Sequence, residues 1–250
     1  VSRYGWIRQL PDFRDQPRLT ARSDYPEHVD LRPLFPAVWD QGNLGSCTGH
    51  ACAAALAYAR TTEDLAPLMP SRLMLYYNAR LLEGSQAWDS GAQIRDVIKG
   101  AAKYGTCPEE LWPYDVARFA TEPGSDAYRA ATRDRAVGYR SVTPSQHDLC
   151  AALAEGSPVV FGFSVYESFE SDAVARTGVM PMPGPGESLV GGHAVVAVGY
   201  DLSERKFIIR NSWGGGWGDH GYFYMPFEYM LSSSLASDFW TIELVTYDKP

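Results

Sequence analysis

The chain has 250 residues, 45% of them hydrophobic, and a formal net charge of −8. That length carries a substantial core in one large domain or two small lobes, and 23 glycines, 17 prolines and 13% aromatic residues argue against an all-helical bundle. The acidic balance, with no Lys/Arg-rich run, disfavours nucleic acid or a membrane surface as partner, and no apolar stretch approaches the ~20 residues of a membrane span.

The chain opens at Val1 rather than Met, so a processed start is expected, with a secreted or periplasmic location favoured over the cytoplasm. Residues 1–28 are polar, carry Pro11, Pro17 and Pro26, and lack a sustained period, which reads as an extended arm. Tyr4, Trp6, Ile7, Leu10, Phe13 and Leu19 make this arm too apolar for a solvated tail. It is expected to pack on the body, either partly covering a cleft or strapping the surface elsewhere.

Residues 29–138 read as mainly helical. Gly42, Asn43 and Gly45 form a loop that delivers Cys47 to the start of an alanine-rich run, a composition suited to a helix buried on most sides. Helices are also expected over Ser71–Leu82 and over Gln93–Tyr104, the latter closed by Gly105, and a further one over Thr143–Glu155 with Pro144 at its first turn. Residues 139–250 read as mainly strand. Short apolar segments at Pro158–Val165, His193–Tyr200, Lys206–Arg210, Tyr222–Met225 and Phe239–Val245 are separated by Gly, Pro or Asp, as in an antiparallel sheet or barrel. The boundary falls near Arg133–Arg140, and a cleft between two such lobes is a natural ligand site.

Three segments carry chemistry. In Gln41-Gly-Asn-Leu-Gly-Ser-Cys47, a thiol at a helix start has unpaired N–H groups and the helix dipole to favour its thiolate. Gln41 could aim its side-chain NH₂ at the spot faced by the Cys47 backbone N–H, forming an oxyanion hole. In Gly191-Gly192-His193-Ala194-Val195, a histidine opening an apolar strand can project its ring into a cleft. In Arg210-Asn211-Ser212-Trp213-Gly, an asparagine could hold an imidazole in one tautomer while the indole excludes water. Each segment taken singly is equally a buried cysteine, a structural histidine and a glycine-rich turn. His147-x-x-Cys150 is too thin for a metal site.

Taken in this order, the three segments resemble the papain family of cysteine peptidases. Val29-Asp30-Leu31-Arg32 is similar to that family's mature start, and Gly221-Tyr222-Phe223 to its following strand. The resemblance spans most of residues 29–224. It implies an α+β, papain-like two-lobe fold: a helical left lobe and an antiparallel β-barrel-like right lobe with the active-site cleft between them. It further implies Cys47 as nucleophile, His193 as acid/base, Asn211 as orienting residue, Gln41 as oxyanion donor and Trp213 as shield of the His–Asn bond. Gly91 would pair its backbone with substrate. Val190, Gly192, Ala194 and Ala92 would surround a second subsite floored by Asp238, whose carboxylate would admit Arg or Lys beside apolar side chains.

The implied activity is cysteine endopeptidase, with peptide or protein substrates, cystatin-like or epoxide-type thiol protease inhibitors, and no metal or organic cofactor. Two departures stand out. The family's usual cysteine three residues before the nucleophile is Leu44, and the usual Trp-Ala-Phe after it is Thr48-Gly49-His50. The family disulfide at that place is therefore absent, pointing to the compact bacterial branch, and His50 is read as packing or support. Cys52 reads as core; a Cys107–Cys150 bridge stays open. A transglutaminase or acyltransferase, and a catalytically silent binding protein on the same fold, are the rival readings.

Overall fold

The computed structural model describes residues 3–20, 24–63, 65–66, 68–133 and 136–244. Among these, β1 (His28–Asp30) is followed by α1 (Cys47–Thr62), α2 (Arg72–Glu83), α3 (Ile94–Tyr104) and α4 (Ser125–Ala131). Then come β2 (Ala136–Ser141), α5 (Gln146–Ala154), β3 (Val159–Tyr166), α6 (Asp172–Thr177), β4 (Leu189–Asp201), β5 (Lys206–Arg210), β6 (Tyr222–Pro226), α7 (Phe227–Met230) and β7 (Ala236–Leu244).

The alanine-rich run does form a helix enclosed on every side: all residues from Cys47 to Ala59 are buried. Small side chains let α1 lie against α2 on one side and the sheet on the other. Ser71 caps α2 by accepting a hydrogen bond from the Met74 N–H, and Gly105 ends α3 at φ 77°. The α5 start differs from expectation. Its cap is Ser145, whose hydroxyl accepts from the Asp148 N–H, so Pro144 lies before the helix rather than in its first turn.

The strands form one antiparallel sheet in the order β2-β7-β3-β4-β5-β6, with β1 added against β4. Among the described residues the path is open, with β2 and β6 at its ends, so the antiparallel sheet expected of the right lobe forms without closing into a full barrel. β2 was not foreseen; it lies across the expected lobe boundary and pairs with β7 at the sheet edge. Side chains alternate between the two faces. Val160, Ala194, Val196 and Val198 face the helical side, whereas Phe161, Phe163, Val195 and Ala197 face an aromatic core on the other.

β4 begins at Leu189, so His193 sits inside the strand and pairs with Phe163 of β3 rather than opening the strand. Pairing with β3 fixes its backbone more firmly than a strand end would, while the β4–β5 ladder begins only at Val196. β7 begins at Ala236, three residues before the expected start, while Val245 lies outside the described residues. All four cysteines are buried and free, so Cys107 and Cys150 do not pair. Among the described residues no helix is long and apolar enough to cross a membrane.

Candidate active site

Cys47 is the first residue of α1 and is fully buried. β4 brings His193 to the same place from the sheet, and the end of β5 brings Asn211. His193 Nε2 donates to Asn211 Oδ1 at 2.8 Å, and that oxygen also accepts from the Ser212 N–H at 2.8 Å. Because a carbonyl oxygen only accepts, the imidazole proton resides on Nε2 and Nδ1 carries the lone pair. Trp213 stacks on the ring with centroids 4.9 Å apart and 29° between planes, which keeps water from the His193–Asn211 bond.

Gln41 is fixed from three directions. Its Oε1 accepts from Ser212 Oγ at 2.6 Å, and its backbone N–H donates to Ser212 O at 2.9 Å. Its Nε2 donates to Leu44 O and to Arg3 O, each at 2.8 Å. The second acceptor belongs to the arm. A carbonyl of the chain's own N-terminal segment thus occupies the donor assigned to an oxyanion.

The arm fills the cleft. The Trp6 N–H donates to Gly192 O at 3.1 Å, the Ala92 N–H to Gly5 O at 2.8 Å and the Ile7 N–H to Ala92 O at 3.1 Å, making a short parallel bridge between Trp6 and Ala92. Pairing with the arm is therefore made by Ala92, while Gly91, at φ 75°, turns its own N–H to Tyr76 Oη at 3.0 Å. The Trp6 indole lies over Gly162 and Gly192, where a Cβ would approach its ring to 1.9 Å and 2.8 Å. Its N–H donates to Asp238 Oδ2 at 2.9 Å, an oxygen that also accepts from the Gln9 N–H at 3.0 Å.

The residues assigned to a second subsite therefore meet around one arm side chain. Ala92 and Ala194 are buried beside it, whereas Val190 is 42% exposed near the start of β4. Gly162, which clears the space for the indole, escaped the sequence reading because it lies in β3, outside all three motifs.

Only part of the arm's apolar content is used. Leu10, Phe13 and Leu19 are 81%, 98% and 86% exposed, whereas the arm rings Tyr4 and Trp6 pack against the body. Polar contacts hold the segment as well. Arg3 pairs with Glu170 at 2.6 Å and lies 3.6 Å over the Trp213 ring, Arg18 pairs with Glu155 at 2.6 Å, and Arg95 pairs with Asp15 at 3.0 Å.

Burial governs the titration of this covered site. It pushes the Cys47 thiol up to about 11, partly offset by N–H groups of Ala194, Gly5, Thr48 and Cys47 itself. It pushes His193 down to about 4, partly offset by Asn211 and reinforced by the positive charge of Arg3. Burial by the arm thus shifts both groups toward their uncharged forms, thiol and imidazole, and away from the ion pair that an open cleft would favour.

A support not legible in the sequence lies behind the nucleophile loop. Both carboxylate oxygens of Asp89 accept from the Gly45 N–H at 3.1 Å, and Asp89 Oδ1 also accepts from Tyr76 Oη at 2.6 Å. Since that hydroxyl receives the Gly91 N–H, Asp89 and Tyr76 tie the loop before Cys47 to the segment that pairs with the arm.

Residues 25–238 match the family described as papain family cysteine protease. This chain belongs to that family. It is thus a papain-like cysteine peptidase, a thiol protease. It is 46% identical over 276 aligned positions to the uncharacterized peptidase C1-like protein L477 of Acanthamoeba polyphaga mimivirus, covering 98% of this chain and 88% of that protein. Its structure is similar to that of xylellain, a cysteine protease from Xylella fastidiosa, with TM-score 0.92 and 42% identity over 98% of this chain and 97% of the other. The fold is shared by the Carica candamarcensis cysteine protease CMS1MS2, solved in complex with E-64, with TM-score 0.64 and 22% identity over 88% and 99% of the two chains. The two-lobe papain fold expected from the motifs is the fold of this peptidase.

Proposed function

We propose that this papain-family peptidase is an endopeptidase working through Cys47, His193 and Asn211 as a catalytic triad, and that its N-terminal arm restricts the cleft until displaced. The single observation that carries the reading is the 2.8 Å bond from His193 Nε2 to Asn211 Oδ1. It leaves the lone pair of Nδ1 free for the thiol, and among the described residues no group hydrogen-bonds to that nitrogen.

The reaction follows from this tautomer. Nδ1 takes the thiol proton, giving thiolate and imidazolium, a state favoured once water can enter. The sulfur attacks the scissile carbonyl carbon, and the oxyanion is held by Gln41 Nε2 and the Cys47 N–H. Collapse breaks the C–N bond as the imidazolium gives its proton to the leaving amine. His193 then takes a proton from water, whose oxygen attacks the thioester; the acid product leaves and the thiol is restored. Residues 29–138 supply the nucleophile side of the cleft and residues 139–250 the histidine side.

The arm supports the restraint because it uses the same groups: Arg3 O on Gln41, the Gly5 N–H at the sulfur, and Trp6 over Gly192 toward Asp238. The peptide unit at the sulfur presents an N–H rather than a carbonyl carbon, so the arm blocks without being in position for attack. Peptide substrates, an epoxide inhibitor of the E-64 type and a cystatin-like inhibitor would all require its displacement. Likeness to the Xylella protein supports the compact bacterial branch, and a secreted or periplasmic site of action is part of the same reading.

The test is stoichiometric titration of the full chain with an epoxide that alkylates thiolates, alongside peptide cleavage by wild type and Cys47→Ala. One mole of label on Cys47 with loss of turnover, and no turnover in the variant, is expected. Near-wild-type cleavage by Cys47→Ala overturns the mechanism. Unlabelled enzyme that transfers the acyl group from the Cys47 thioester to a competing amine in preference to water would make the chain an acyltransferase.

A further inference from the structure

His50 stands one turn along α1 from Cys47 and is 2% exposed. Its Nδ1 lies 3.1 Å from Ser46 O and 3.3 Å from Ser46 Oγ; the shorter contact is to a carbonyl that can only accept, which favours the proton on Nδ1 and leaves Nε2 a lone-pair acceptor. Among the described residues no donor reaches that Nε2. Burial, reinforced by the Arg72 charge, pushes its pKa down to about 3, which favours the neutral ring.

Asn211, 3% exposed, has the complementary need. Its Oδ1 is engaged by His193 and the Ser212 N–H, which turns its Nδ2 away from the imidazole, and among the described residues no acceptor reaches Nδ2. His50 and Asn211 line one cavity of about 10 Å³ between the helix and the sheet, together with Trp39, Ala54, Val196 and Arg210. That is room for a single water, and a buried water requires at least two polar partners. Here the two unsatisfied atoms are one acceptor and one donor. A water can donate to His50 Nε2 while accepting from Asn211 Nδ2.

We propose that His50 is a positioning residue of this peptidase: through one water bound in this cavity it holds the Asn211 amide in the orientation that keeps Oδ1 on His193. The inference rests on the triad reading above. It gives a reason for a histidine where the family's usual residue is aromatic and apolar, since Phe at that place would offer Asn211 no acceptor. The amide could then turn over more easily, and each flip would present NH₂ to His193 Nε2–H and release the imidazole.

The experiment uses the full chain and two readouts. In water-selective nuclear Overhauser spectra, the Asn211 side-chain NH₂ of the wild type should show a cross-peak to a long-lived water. Imidazole ¹⁵N shifts should report His193 in the Nε2–H form. His50→Leu should lose the cross-peak and move the His193 nitrogens toward a mixture of tautomers, and His50→Gln, which restores an acceptor, should recover both. In turnover, His50→Leu should lower kcat about 10-fold with KM within about twofold, the size expected when a buried donor loses its partner. Asn211→Ala should cancel the effect, so that the double variant is no slower than Asn211→Ala alone.

Absence of the water cross-peak in the wild type, or losses that add in the double variant, overturns the proposal. His50→Gln behaving like His50→Leu would do the same. Should His50→Leu fail to fold, the wild-type spectra and His50→Gln still decide. A wild type that cleaves no peptide would sink the endopeptidase reading alone, because the spectra need no turnover.

Discussion

Gly5 of the arm passes Gly45 of the nucleophile loop so closely that a Cβ on Gly5 would lie 1.7 Å from the Gly45 carbonyl oxygen. Both partners are backbone, so neither can swing aside as a side chain would. Gly5→Ala should therefore expel the arm from the cleft while leaving the body folded. Steady-state hydrolysis of a short fluorogenic peptide should show kcat/KM raised at least ~10-fold, because a larger fraction of molecules is competent to bind. Unchanged kcat/KM with a lowered Tm would reduce the arm to a strap.

Thiol reactivity should follow the covered and uncovered states. With the arm in place the Cys47 pKa is raised to about 11, so the protonated, unreactive form persists through neutral pH and reactivity appears only on raising pH. Iodoacetamide labelling of Cys47 in the full chain, read by peptide mass spectrometry, should climb roughly tenfold per pH unit from pH 7 to 10. In Gly5→Ala it should be fast and nearly flat over that range, as an imidazolium-paired thiolate allows. Equal rates in the two proteins would disprove the coupling.

Asp238 adopts φ 62°, a conformation asparagine also tolerates, so Asp238→Asn changes charge with little backbone strain. The carboxylate accepts the Trp6 and Gln9 N–H groups, and an arginine side chain of a substrate could use the same oxygens. In the Gly5→Ala background, the variant should lose about 10-fold in cleavage of peptides with Arg at the second subsite and keep its rate with Phe, in line with a lost charge-assisted bond. An unchanged Phe/Arg ratio would remove Asp238 from specificity.

Asp89→Ala should strike catalysis rather than the fold. It strips the acceptor from the Gly45 N–H and the Tyr76 hydroxyl, loosening the loop that presents Gln41 and Cys47 and the segment around Gly91 at once. A fall in kcat of roughly 10-fold is expected from the loss of one or two such bonds. Asp89→Asn should recover part of it, since one oxygen remains. A variant with full kcat would show that the loop holds its shape without this carboxylate.

Acid should destabilise the fold through its buried histidines. His50 and His193 are depressed to about 3 and about 4, below the unfolded value of 6.5, so the unfolded chain binds more protons. Their stabilising contribution is complete above that unfolded value and is lost as pH falls through the window toward the folded values. Each histidine adds a slope of up to about 1.4 kcal/mol per pH unit. Urea unfolding of His50→Gln between pH 6 and pH 4.5 should show a shallower pH dependence than wild type by about one such slope. Parallel curves would mean that His50 is not kept neutral.

The residue sequence by itself determined the family, the order of the three motifs, and the helix and strands that carry them. These depend on local chemistry: a glycine loop before a cysteine at a helix start, a histidine in an apolar run, and an asparagine beside an indole. The alanine content of α1 likewise announced a helix buried on all sides. Tertiary structure alone decided what meets these motifs. Asp238 receives Trp6 across 232 positions, Gln41 holds Arg3 O, and Asp89 reaches back to Gly45. Gly162 makes room for the indole only because the register sets it beside Ala194 in the β3–β4 pair. The cavity shared by His50 and Asn211 exists because α1 packs against β4, bringing His50 to the residues that follow β5. Such relationships arise from strand register and helix packing between distant segments, which no local pattern of residues encodes.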